Sequence, residues 1–109
     1  MSDLTQKKCV PCEGGVPPLE KAEVERLLAQ IPGWSLTGKW ISKEFQFKNF
    51  VEAMKLVNQV AGIAEREGHH PDIHIHYNRV RFDIWTHAIG GLSENDFILA
   101  AKIDALVRR

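Results

Sequence analysis

Two adjacent histidines, His69 and His70, stand just before the proline of the run Glu65-Arg66-Glu67-Gly68-His69-His70-Pro71, and a third, His87, follows further along the chain. Histidine has an unperturbed pKa of about 6.5, so it gives and takes protons near neutral pH. A pair held at a helix end, with another imidazole returned to it by a hairpin, points to acid–base chemistry. His70, Asp72, His74 and His76 also alternate onto one face of a strand-like run, which raises a metal site as a second reading. Imidazole binds zinc well, but side chains diverge along a straight strand and suit a tetrahedral site poorly. Acid–base chemistry fits better, and His74 and His76 read as partly exposed strand residues.

The elements that must position these residues follow from periodicity. A helix begins near Leu19; Val24, Leu27, Leu28 and Ile31 keep its spacing, and Pro32-Gly33 stops it. Trp34-Ser35-Leu36 and Trp40 to Phe47 read as strands around a Thr37-Gly38-Lys39 turn. Asn49 is a good N-cap for the strongest helical stretch, with Phe50, Ala53, Met54, Val57, Val60, Ala61 and Ala64 as its stripe and Gly68 as its end. A second hairpin alternates Ile73, Ile75 and Tyr77 with polar residues, then Val80, Phe82 and Ile84. Ser93, with Asp96 three residues on, caps a last helix whose stripe is Leu99, Ile103 and Leu106. The order α-β-β-α-β-β-α implies an α+β domain, a four-stranded antiparallel sheet with three helices packed on one face.

With a two-residue loop at Asn78-Arg79, Tyr77 faces Val80, Ile75 faces Phe82 and Ile73 faces Ile84. All six then share one side of the sheet. Extended further, that register sets Asp72 opposite Trp85 and His70 opposite His87, with His69 next door and Glu65 one helical turn earlier.

Composition narrows the function classes. The chain has 109 residues, enough for one domain with a single core. Fourteen basic and fourteen acidic residues cancel, so the positive footprint of a nucleic-acid binder is missing. No apolar run approaches the ~20 residues of a membrane span, and the first residues lack the apolar stretch of a secretory signal. The expectation is a cytoplasmic protein. Residues 1–18 read as a flexible N-terminal arm, with residues 19–109 as the domain; Gly14-Gly15-Val16-Pro17-Pro18 is a turn signal. The arm carries one C-x-x-C, Cys9 and Cys12, with no second pair to complete a zinc site. Two reduced thiols are the simplest reading, with intersubunit metal binding or a redox role as alternatives. The second helix carries Val51, Leu56 and Ile63 outside its main stripe, which implies a subunit interface.

The spacing Glu65, three residues, His69-His70-Pro71, five residues, Tyr77, nine residues, His87, eight residues, Asp96 resembles the signature of the pterin-4a-carbinolamine dehydratase family. Pro32-Gly33-Trp34, Phe45 to Phe50 and Gly91-Leu92-Ser93-Glu94 also resemble family segments, so the resemblance runs from about Leu19 to the C-terminus. It implies loss of water from a 4a-hydroxytetrahydropterin to give a quinonoid dihydropterin. That reaction recycles the cofactor of aromatic amino acid hydroxylases. The resemblance further implies a homotetramer, no metal or organic cofactor, and a pterin as the small-molecule partner, with no nucleic acid or membrane. His69 and His87 become the acid–base pair and His70 the residue that binds and orients the pterin. Glu65, Trp34 and Asp96 become further contacts, Glu65 by contact, by holding a histidine tautomer or charge state, or as a plain surface residue at the helix end, Trp34 through its flat face or by packing in the core, Asp96 by contact or as a helix cap. Gly68 stands where some relatives carry an acidic residue, and Asn95 where some carry Arg. The alternatives are a protein-interaction module, of the kind that dimerises a transcription factor, and an accessory protein in another pterin pathway such as molybdopterin metabolism.

Overall fold

The computed structural model describes residues 4–9 and 17–107. Helix α1 spans Lys21–Leu28, strand β1 Ser35–Thr37, β2 Trp40–Gln46, α2 Phe50–Glu67, β3 Asp72–His76, β4 Arg79–Ile84 and α3 Glu94–Val107. The strands form one antiparallel sheet in the order β1-β2-β4-β3, and the α+β order read from the sequence is the one observed. Ile41 and Phe45 of β2 join Val80, Phe82 and Ile84 of β4 in the core beneath the helices. Burying these apolar side chains is the main favourable term in folding.

Helix α2 starts where Asn49 accepts a hydrogen bond from the Glu52 N–H at 2.9 Å, which satisfies one of the unpaired donors of the first turn. It ends at Gly68, in the left-handed region at φ 67°. Its buried row is Ala53, Leu56, Val60, Ile63 and Ala64, whereas Phe50 is 47% exposed and Ala61 is exposed. The expected stripe is therefore rotated by about one residue. Leu56 and Ile63, expected at a subunit interface, lie inside the core, and of that trio Val51 alone is exposed. Both rows are apolar at helical spacing. Packing of α2 against α3 and β4, rather than periodicity, chose between them.

Helix α3 is buried on every side from Asn95 to Ala101, because it packs against α1, α2 and the N-terminal 3₁₀ turn Leu4–Gln6. Near its end Asp104 meets the sheet: Lys43 Nζ lies 2.9 Å from Asp104 Oδ1, and Trp34 Nε1 donates to Oδ2 at 3.1 Å. Over residues 4–9 the expected arm lies along α3 and the end of α2. Leu4 is buried, Lys102 Nζ donates to the Thr5 carbonyl at 3.2 Å, and the Cys9 N–H donates to Glu67 Oε1 at 2.8 Å. The rest of the arm through residue 16, Cys12 included, lies outside the described residues.

The second hairpin departs from the expected register. Its turn is Tyr77-Asn78, so Ile75 faces Val80, Ile73 faces Phe82 and Asp72 faces Asp83. Tyr77 takes φ 53°, and Asn78 is pinned to the end of β2: its Nδ2 donates to the Phe47 carbonyl at 3.0 Å, and its own carbonyl accepts from the Phe47 N–H at 2.7 Å. The slip is two residues. A slip of two keeps every side chain on its original face, so the hydrophobic pattern cannot detect it.

Two predictions follow from this packing. The left-handed conformation strains a non-glycine residue, and Tyr77 is 66% exposed with little packing to lose. Asparagine tolerates that region better, so Tyr77→Asn is expected to stabilise the protein by about 0.5–1 kcal/mol. Urea unfolding measures it, and a loss of stability would show that the ring's packing outweighs the strain. Within the arm, burial and then the nearby Glu67 carboxylate push the Cys9 thiol from 9.0 up to about 12. The thiolate is the reactive form, so at pH 8 a thiol so shifted reacts roughly a thousandfold more slowly than an unshifted one. In a Cys12→Ser variant, iodoacetamide should alkylate native Cys9 at least about a hundredfold more slowly than the urea-unfolded chain. Equal rates would show that the arm does not hold Cys9 in place.

Candidate active site

The end of α2 sets the position of the histidine pair. Gly68 turns the chain back, and the His69 N–H donates to the Ala64 carbonyl at 3.2 Å, so His69 is fixed to the last helical turn. Pro71 then starts the chain toward β3. An open cleft of about 680 Å³ lies here, lined by His69, His70 and His87 together with Glu65, Trp85 and Cys9. The three histidines named from the sequence thus share one cleft, although by a different route than expected. His70 does not pair with His87 across the hairpin, since the ladder stops at Asp72 and Asp83. A 3₁₀ turn, His87–Ile89, carries His87 to the cleft instead.

The two neighbouring histidines have unlike surroundings. The His69 side chain is 11% exposed, and its Nε2 lies 2.6 Å from Oδ1 of Asp96, which is fully buried. The Asp96 carboxylate also accepts from the Ser93 N–H at 2.8 Å and the Thr86 hydroxyl at 2.9 Å, both at Oδ2. Asp96 is therefore the cap of α3 and the anchor of His69 at once. With Nε2–H given to Asp96, Nδ1 is the ring atom of neutral His69 able to take a proton. His70 Nε2 lies 2.6 Å from Glu65 Oε2, but both side chains are largely exposed. Such a pair is screened by water and contributes little to stability. His87 is exposed, and its ring centroid lies 4.0 Å from that of Trp85, at 40° between planes. Trp85 is backed in turn by Trp40 at 6.4 Å.

Two residues expected to touch a ligand do not line the cleft. Trp34 is buried, with its ring against Phe45 and its indole N–H on Asp104 at the far end of α3. Its reading as a core residue is the one observed, because the Pro32-Gly33 turn directs the ring under the sheet rather than toward the histidines. Asp96 lies beneath His69 with no exposed surface, so it reaches a ligand only through that imidazole. His74 pairs with Asp83 at 3.0 Å on the outer face of the sheet, where Arg81 and the Ser42 hydroxyl also bond Asp83. Among the described residues, no three His, Cys, Asp or Glu side chains converge as a metal site would require.

Sequence reasoning missed Trp85, Thr86 and Cys9. Trp85 breaks the polar side of the β4 alternation, an outward-facing aromatic, and that was the available signal. For Thr86 no spacing rule exists, since its partner Asp96 is met only in the folded chain. Cys9 is brought to the cleft by Glu67, 58 residues away in sequence.

Comparison with known proteins places the chain in one family. A sequence model of the family described as pterin 4 alpha carbinolamine dehydratase matches residues 17–106. A protein of Nitrosospira multiformis is 56% identical over 106 residues, covering 97% of this chain and 94% of its own, and one of Nitrosomonas europaea is 55% identical over 107 residues, covering 97% and 95%. Both carry the provisional name pterin-4-alpha-carbinolamine dehydratase. The crystal structure of a transcriptional coactivator/pterin dehydratase from Brucella melitensis superimposes with a TM-score of 0.79 at 33% identity, covering 82% of this chain and 97% of that one. With a family match over most of its length, close relatives over nearly all of it and the same fold in a solved structure, this chain belongs to the pterin-4a-carbinolamine dehydratase family.

Proposed function

We propose that this protein eliminates water from a 4a-hydroxytetrahydropterin to give the quinonoid dihydropterin, with His69 and His87 as its acid–base pair. The observation that carries the reading is the cleft, in which one imidazole anchored on a buried carboxylate is joined by a second, exposed one. The reaction needs two proton transfers. The hydroxyl at C4a leaves as water once it gains a proton, the N5–H bond gives up a proton, and its electron pair forms the new double bond. Net charge on the protein is unchanged after one turnover if one group gives and the other takes. His69 suits the taking role: Nδ1 receives the proton while Asp96 stabilises the imidazolium that forms. His87, open to solvent, suits the giving role and is reprotonated from water.

His70, held by Glu65, orients the pterin through its free ring nitrogen. The flat cover that the resemblance offered as one role for Trp34 falls to Trp85, whose ring already lies against His87. The reaction places the protein beside aromatic amino acid hydroxylases, as the step that returns their spent pterin. On helix α2, Phe50 and Val51 are 47% and 65% exposed, and this apolar corner supports assembly into a homotetramer. Among the described residues no helix is long and apolar enough to cross a membrane, which is compatible with a cytoplasmic role. The double name of the Brucella melitensis structure keeps an interaction role as the second reading.

Dehydration of enzymatically generated 4a-hydroxytetrahydropterin, followed by ultraviolet absorbance, tests the proposal. Wild type should accelerate it well beyond the spontaneous rate, and His69→Ala and His87→Ala should each lose about 10²–10⁴-fold. Absence of acceleration by wild type would overturn the enzymatic reading and leave the interaction role.

A further inference from the structure

Thr86 takes no part in the reaction as described, yet it connects both ends of it. Its hydroxyl has one proton. With that proton given to Asp96 Oδ2 at 2.9 Å, the 2.8 Å contact with Ser93 Oγ is one in which Ser93 donates. Thr86 is 4% exposed, and Asp96 is not exposed at all, so water does not replace this donor. Two donors on Oδ2, the Thr86 hydroxyl and the Ser93 N–H, orient the carboxylate and leave Oδ1 for His69 Nε2. The Thr86 backbone is fixed as well. Its N–H donates to the Gly91 carbonyl at 2.9 Å, and its carbonyl accepts from the Gly91 N–H at 3.4 Å and from the Ile89 N–H at 3.2 Å. Those bonds close the 3₁₀ turn that carries His87. One residue thus holds the anchor of His69 with its side chain and the turn of His87 with its main chain.

We propose that Thr86 is a positioning residue that holds the Asp96 carboxylate in the orientation that fixes the His69 tautomer, and so sets the two imidazoles for proton transfer. The proposal rests on the dehydratase reading. The competing account is that the Thr86 hydroxyl serves only the N-terminal cap of α3, in which case its loss lowers stability and leaves turnover alone.

Thr86→Val keeps the shape and removes the donor; Thr86→Ser keeps the donor and removes a methyl group. Both would be assayed for kcat and KM, and their imidazole N–H protons observed by NMR. The wild-type His69 Nε2–H should appear as a far-downfield resonance that His69→Ala abolishes. Thr86→Val is expected to lower kcat about ten- to a hundredfold with KM within about twofold, and to shift or broaden that resonance. Thr86→Ser should keep kcat within about threefold and keep the resonance. A Thr86→Val protein with wild-type kcat, or a Thr86→Ser protein that loses activity more than tenfold, overturns the proposal. Thr86→Ala carries the same expectation as Thr86→Val and serves in its place if that variant does not fold. If wild type itself shows no turnover, it is the dehydratase reading that fails; if wild type turns over and Thr86→Val does so equally, this inference alone fails.

Discussion

The structure turns on one buried carboxylate. Asp96 has no exposed surface and receives the Ser93 N–H, the Thr86 hydroxyl and His69 Nε2. Those donors come from the start of α3, the exit of β4 and the end of α2, so three parts of the fold meet at a single group. A buried charge is tolerated only when it is fully hydrogen-bonded, and among the described residues no buried side-chain N or O lacks a partner. Asp104 plays the corresponding part at the other end of the helix, where it takes the Trp34 indole N–H and the Lys43 ammonium. Helix α3 is apolar almost all round and would slide or rotate on packing alone. Its two aspartates are directional, and they set its register against the sheet and the cleft.

The same arrangement explains how adjacent, identical side chains come to differ. His69 and His70 follow one another in sequence, but the left-handed turn at Gly68 folds His69 under the cleft and leaves His70 at its rim. A hydrogen bond to a carboxylate shielded from water is stronger and more strictly oriented than one in solvent. His69 is therefore held in one tautomer, whereas His70 and Glu65, both largely exposed, are free to adjust to a ligand. The reaction proposed above, which must first seat a flat heterocycle, would use the rigid imidazole for proton transfer and the adaptable one for binding. The Trp40, Trp85 and His87 rings continue that surface along the outer face of the sheet.

Much of this was written in the chain. Helical and alternating periodicities gave the element order and the antiparallel sheet, because burial of one face imposes those periods directly on the residues. Asn49, Gly68 and Ser93 announced the helix ends for local reasons of capping. The histidines and Glu65 were visible together, Asp96 joined them only through the family resemblance, and its local role as a cap was legible from its distance to Ser93 in sequence. What tertiary structure alone decided was every choice between arrangements with the same pattern. The hairpin register slipped by two residues because the Asn78 side chain found Phe47, the apolar row of α2 rotated because α3 lay where it did, and Trp34 went to the core while Trp85 went to the cleft. The joining of Thr86, Asp96 and His69 belongs to the same class. Periodicity records which face of an element is buried, but hydrogen bonds between distant residues depend on distances that exist only after the chain has closed.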